Sequence, residues 1–219
     1  MSPSLPSLGK AFVITFVIGE TTTMSKALPR IYVVRHGETA WSVTGQHTGR
    51  RDIPLTAHGE EEATRLRKRL EGIEPLQVLS SPSQRARRTC ELAGWGEKMQ
   101  IDADLSEWDY GDYDGRTTPD IKKERPDWSL FRDGCPHGET AEEVGRRADR
   151  VIAYIRALNG DVLLFGHSHT FRILAARWLA LPAQGGAYFT LAPASVSVLS
   201  FEHTAAEPVI ALWNDARPE

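Results

Sequence analysis

IYVVRHGETAW, residues 31–41, begins with four apolar residues and turns abruptly polar at Arg35 and His36. IYVV reads as a short apolar strand whose carboxyl end delivers Arg35, His36, Gly37 and Glu38. Downstream, Thr56 precedes a segment in which Ala63, Leu66, Leu70 and Ile73 recur at helical spacing, with Thr56 as its N-cap. LQVLS, residues 76–80, is the next strand, and Pro82 opens a helix through SQRARRTCELAGW. MQI, residues 99–101, leads into the polar and aromatic loop LSEWDYGDYDG, and residues 118–125 form a brief helix stopped by Pro126. Glu139 to Leu158 reads as a long helix, and DVLLFG, residues 161–166, as a fully buried strand feeding a helix that ends at Pro182. SVSVLSF, residues 195–201, alternates as a strand, and VIALW, residues 209–213, makes the last one. Strands alternating with helices predict an α/β three-layer sandwich with a mostly parallel central sheet and helices on both faces. The late strand pair, with no helix between its members, predicts an antiparallel edge.

The 219 residues suit one domain, here 28–219, with residues 1–27 as an N-terminal extension. AFVITFVIG, residues 11–19, is too short to span a bilayer, is poor in leucine, and precedes no signal-type cleavage site. The extension is expected to be dispensable or mis-started, with Met24 as the alternative start; an added strand or docked arm is the competing reading. Lys and Arg number 26 against 29 Asp and Glu, a net charge of −3, which gives no reason to expect nucleic acid or an anionic membrane as partner. Two cysteines, Cys90 and Cys135, exclude a disulfide scaffold, and no zinc-type spacing accompanies them. A cytoplasmic location is expected.

In such a sheet, ligands bind beyond the carboxyl ends of the strands. Arg35, His36 and Glu38 follow the first strand, Arg85, Arg87 and Arg88 the second, and His167, Ser168 and His169 the strand at 161–166. Two histidines and at least one arginine thus meet near helix N-termini, where an anion is favoured, and phosphate is the natural occupant. Arginines beside the nearby carboxylates disfavour a metal. GHSHT, residues 166–170, misses the serine-hydrolase elbow at Thr170, and Cys90 lies inside an amphipathic helix, where packing is its expected role. Histidine as phosphoryl acceptor remains, with Glu107 as the preferred proton donor and Glu38 as a residue that orients neighbouring groups.

The pattern RHGETAW, with TGRRDIPLTAHG at 48–59, SSPSQRARRT, LSEWDYGDYDG, GCPHGET and FGHSHTFR, resembles the histidine phosphatase superfamily, in the branch that contains phosphoglycerate mutase. It is similar in particular to broad-specificity acid phosphatases and a fungal sedoheptulose-1,7-bisphosphatase. The resemblance implies His36 as the phosphorylated nucleophile, a pocket of Arg35, Arg85 and His167, and Glu107 as general acid and then base. It implies substrate contacts from Thr48, Gly49 and the Ser168 amide, and no metal or organic cofactor. Ser42 stands where the family often has asparagine, and it can still donate to a phosphate oxygen. Arg87 and Arg88 read as a solvated helix face. His47, His58, His137, His169 and His203 read as surface or packing residues, with only His169 within reach of substrate. A small-molecule phosphate ester is the implied partner, and a homodimer is compatible with the family. The short segment between Glu107 and His167 leaves little chain for a lid, which favours hydrolysis over mutase transfer. A sugar bisphosphatase, a phosphoglycerate mutase and a non-catalytic phospholigand-binding domain are the alternatives. Trp128 and Phe131 are read as a wall over the phosphate or as packing of the inserted helix. Asp109, Asp112 and Asp114 would repel a second phosphate, while Arg50, Arg51, Lys122 and Lys123 could receive one.

Overall fold

The computed structural model describes residues 28–217. The expected extension, residues 1–27, lies outside them, so its role stays an expectation. In chain order the regular elements are β1 (Ile31–Arg35), α1 (Ala40–Thr44), α2 (Ala57–Arg69), β2 (Gln77–Ser80), α3 (Gln84–Leu92), β3 (Met99–Ile101), α4 (Thr118–Glu124), α5 (Leu130–Asp133), α6 (Ala141–Leu158), β4 (Val162–Gly166), α7 (Ser168–Trp178), β5 (Val196–Phe201) and β6 (Pro208–Asp215). The strands form one sheet in the order β3-β2-β4-β1-β5-β6. β3, β2, β4 and β1 run parallel, and β5 and β6 are antiparallel additions at one side. The three-layer α/β sandwich read from the sequence is the fold.

Side-chain alternation along the strands builds a separate core on each face. Ile31 and Val33 of β1 with Val162 and Leu164 of β4 pack on Val144, Ala148, Val151 and Ile155 of α6 and on Phe171 and Leu174 of α7. Val34, Leu163 and Phe165 face the other way, onto Leu66 of α2 and Cys90 of α3. Cys90 is therefore a packing residue, and burial pushes its thiol up to about 12.

The structure departs from the sequence reading in a few places. The long helix begins at Ala141 because Thr140 caps it, accepting the Glu143 amide while Glu143 reaches back to the cap. β5 alternates in polarity but is buried along its whole length. Its serines find partners: Ser197 accepts the Asn214 amide at 2.9 Å, and Ser200 donates to the Pro29 carbonyl at 3.2 Å. β6 is longer than VIALW alone. Two short helices, α4 and α5, precede α6 where one was expected, and Trp128 and Phe131 are buried in the core as packing residues.

Leu164→Ala, at the centre of the sheet with no exposed surface, should cost about 2–5 kcal/mol in urea unfolding. Tyr188→Ala, at 88 % exposure, should stay within about 0.5 kcal/mol of the parent.

Candidate active site

β1 and β4 are parallel neighbours with Arg35 opposite Gly166, so the residues that follow each strand emerge side by side. The His36 amide donates to the Gly166 carbonyl at 3.0 Å, and the His36 and His167 rings lie 5.2 Å apart. The backbone after His36 is packed directly against α2: a Cβ on Gly37 would overlap the Gly59 carbonyl, and one on Gly59 would overlap that of Glu38. The glycines of RHG and AHG allow that close approach.

His36 Nδ1 lies 2.7 Å from the Gly37 carbonyl oxygen. A carbonyl only accepts, so Nδ1 carries the proton and Nε2 keeps its lone pair. Burial, followed by the charges of Arg85 and Arg35, holds the imidazole well below its ordinary range, so it is neutral at neutral pH. His167 is fully buried, with Nε2 2.7 Å from Ser81 Oγ and 3.2 Å from Ser83 Oγ. Burial and the neighbouring Arg85 keep it neutral too.

Of the two arginines here, Arg85 is buried and Arg35 half-buried. Arg35 donates to the Leu191 carbonyl. Burial lowers Arg35 to about 10, opposed by Glu107, and it remains a cation at neutral pH. Arg85 donates to the carbonyls of Arg51 at 3.1 Å and Thr48 at 3.0 Å, so the 48–51 loop aims the guanidinium. Among the described residues, the buried side-chain nitrogens and oxygens with no hydrogen-bond partner are Arg35 Nε, Arg85 Nε and His167 Nδ1. All three belong to this cluster.

Glu107 reaches the start of α7. Its Oε1 accepts from the Thr170 amide at 3.0 Å and the Thr170 hydroxyl at 3.1 Å, and its Oε2 accepts from the His169 amide at 3.2 Å. His167, the residue preceding the helix, makes no side-chain cap, so the carboxylate of a distant loop serves the orphan amides, where the helix dipole favours negative charge. Two clefts meet at Glu107. One, of about 270 Å³, is lined by Arg35, His36, Trp41, His47, Tyr110 and Ser168 among others; the second, of about 400 Å³, runs past Ser83 and His167 to Arg147.

The remaining sequence-predicted residues fall around this centre. Ser42 and Thr48 line the smaller cleft and Gly49 the larger. The Ser42 hydroxyl is committed to a capping box with Thr39, donating to its carbonyl at 2.8 Å and accepting its amide at 2.8 Å. The Gly49 amide donates to Asp114. Glu38 points elsewhere, accepting from the Thr56 hydroxyl at 2.7 Å. Arg88 is exposed and paired with Glu60.

Sequence reasoning singled out His169 and passed over several of its neighbours. His47, read as a surface or packing residue, is buried against Tyr110 and also lines the cleft, and burial lowers it to about 4 against the pull of Asp114. His169 lines the same cleft, with Nδ1 2.6 Å from the Tyr110 hydroxyl. Gln46, Thr118 and Thr170 carried no local signal, because only the folded loops bring them here.

A neutral imidazole set beside two guanidiniums and a helix-capping carboxylate makes a site suited to an anionic group. Residues 31–216 match the histidine phosphatase superfamily (branch 1), and the chain belongs to that family as a histidine-phosphatase-type phosphomonoesterase. It is 40 % identical over 179 residues to an acid phosphatase of Mycobacterium tuberculosis, covering 80 % of this chain and 87 % of the relative. It is 37 % identical over 194 residues to the sedoheptulose 1,7-bisphosphatase of Saccharomyces cerevisiae, covering 74 % and 71 %. The solved structure of the open reading frame Rv3214 from Mycobacterium tuberculosis superposes with a TM-score of 0.81 at 37 % identity, covering 85 % of this chain and 97 % of that one. Among the described residues no helix is long and apolar enough to cross a membrane, and no cluster of three His, Cys, Asp or Glu could hold a metal ion.

His36, His47, His167 and His169 are all lowered from an ordinary value of 6.5 by burial. Below pH 6.5 the unfolded chain takes up protons that the folded chain refuses, so stability falls on acidification. Asp133, lowered to about 2 by Arg132, adds its own loss only at more acid pH. The melting temperature of phosphate-free protein should drop between pH 6.5 and 5. A flat profile would mean that the imidazoles accept protons in the folded state.

Proposed function

We propose that the protein hydrolyses small phosphate monoesters, of sugar or glycolytic type, through a phosphohistidine on His36. Three buried nitrogens carry this reading: Arg35 Nε, Arg85 Nε and His167 Nδ1 have no protein partner and cluster around His36. A buried donor left unpaired costs about 1–3 kcal/mol, and a phosphoryl group is a ligand whose oxygens satisfy several at once while offsetting the two guanidinium charges.

In the reaction, His36 Nε2 attacks phosphorus as the ester P–O bond breaks. Glu107 must take up a proton for this step, against the preference of the α7 amides for its anion, and gives it to the leaving oxygen. Water then attacks the phosphohistidine, Glu107 takes the water proton, and inorganic phosphate and neutral His36 return. Arg35, Arg85 and His167 hold the transferring oxygens, and the two guanidiniums neutralise the charge that develops on them. Ser168, at the positive end of α7, adds an amide to the same anion site. Thr48 and Gly49 support the site by orienting Arg85, and Ser42 shapes the cleft wall.

Beyond the phosphate, the smaller cleft is lined by Trp41, Gln46, His47, Tyr110, Thr118 and His169. These groups are uncharged hydrogen-bonding or aromatic side chains, which suits a hydroxyl-rich leaving group. The acid phosphatase and sedoheptulose bisphosphatase relatives agree with this class of substrate. A bisphosphate is the second reading, favoured by Arg51, which is paired with Asp114 and whose guanidinium lies over the ring of the cleft residue Trp41 at 5.5 Å.

His36→Ala should abolish hydrolysis in assays without added divalent metal, and full turnover by that variant would refute the covalent route. A panel of sugar monophosphates with sedoheptulose 1,7-bisphosphate separates the substrate readings: Arg51→Gln should weaken only bisphosphate turnover. With 3-phosphoglycerate, free phosphate is the expected product; formation of the isomer instead would identify a mutase. Activity should persist at pH 5–6, because the nucleophile stays unprotonated where an ordinary histidine is charged.

A further inference from the structure

Glu107 stands in a loop with no sheet ladder to hold it, between two short 3₁₀ turns at Ala103–Leu105 and Gly111–Tyr113. Its neighbours on both sides are tied to one ion pair. Arg147, on α6, donates to both carboxylate oxygens of Glu139, each at 2.8 Å. Its remaining nitrogen, Nη1, donates to the carbonyls of Asp104 at 2.7 Å and Ser106 at 3.0 Å, just before Glu107. Just after Glu107, the Asp109 amide donates to the Glu139 carboxylate at 2.9 Å, and the Trp108 indole donates to the Glu139 carbonyl at 2.9 Å. The two side chains are 13 % and 22 % exposed, so water screens them little.

We propose that the Arg147–Glu139 pair is a positioning device that fixes where the Glu107 carboxyl group stands relative to the ester oxygen. This rests on Glu107 being the proton donor. Both residues of the pair line the larger cleft beside Glu107, but their hydrogen bonds go to each other and to the backbone around Glu107, not to His36, Arg35 or Arg85. Proton transfer requires hydrogen-bond distance to the leaving oxygen, and phosphate binding by Arg35 and Arg85 does not require it. Loosening the loop therefore penalises the proton-dependent step and spares the phosphate pocket. The planar fork of arginine is needed to serve the carboxylate with two bonds and the carbonyls with a third nitrogen, a geometry that lysine lacks.

The test compares kcat/KM for alkyl phosphates and p-nitrophenyl phosphate in Arg147→Met, Arg147→Lys, Glu139→Gln and Glu107→Gln, with the inhibition constant of inorganic phosphate as control. Alkyl phosphates need the proton, whereas p-nitrophenolate leaves without it. Arg147→Met should lose roughly 10- to 100-fold with alkyl phosphates and much less with the activated ester, the scale expected for a misplaced proton donor. Phosphate inhibition should be unchanged, and Arg147→Lys should recover only part of the loss. Glu139→Gln keeps the shape of the site and gives the same readout should Arg147→Met fail to fold. An equal loss with both esters, or weakened phosphate inhibition, would overturn the proposal and leave the pair a merely structural contact. If Glu107→Gln itself shows no leaving-group dependence, the proton-donor reading fails and takes this proposal with it. A steep dependence in Glu107→Gln with a flat one in Arg147→Met sinks the positioning role alone.

Discussion

Parallel pairing of β1 with β4 puts Arg35 across from Gly166, and the rest of the site is a consequence of that register. A slip by one residue would turn every side chain of β1 to the opposite face, exchanging Val33 and Val34 between the two cores. The register is held by both cores at once, since each strand buries alternate residues against different helices. His36 and His167, each leaving its own strand, then have no choice but to face one another. The same strand end starts α7, whose first amides receive Glu107 from a loop far along the chain.

Electrostatics at that point runs against ordinary folding preference. Arg85 is buried and Arg35 half-buried, the histidines beside them are kept neutral, and Glu107 is drawn to the end of a helix. Local stability is given up to keep donors aimed at one small volume. On the proposed reading, a phosphoryl oxygen is the group that supplies the hydrogen bonds these nitrogens lack within the protein. The helix-capping role of Glu107 belongs to the same design: its carboxylate is tied to α7, and α7 is tied to the strand that delivers His167.

Much of this was legible in the sequence because it depends on local order. The strand–polar cluster at 31–38 and the strand–histidine cluster at 161–169 announce themselves, and the rule about strand ends links them. Thr56 was recognisable as a cap from its neighbours. What escaped depends on distant loops meeting. Arg147 reads as one more charge on an amphipathic helix, and nothing near it points to carbonyls at 104 and 106. His47 looks like a surface histidine until Tyr110 packs against it. The serines of β5 look solvent-facing until β6 and the chain before β1 supply their partners. Ser42 shows the converse, a residue flagged for phosphate whose hydroxyl is used to cap its own short helix.

Mass spectrometry of protein quenched during turnover tests the covalent account most directly. One acid-labile phosphoryl group should be found on the peptide containing His36, and it should disappear in His36→Ala. Steady turnover with unmodified His36 under quench conditions that preserve phosphohistidine, or a phosphoryl group on His167 instead, would contradict it.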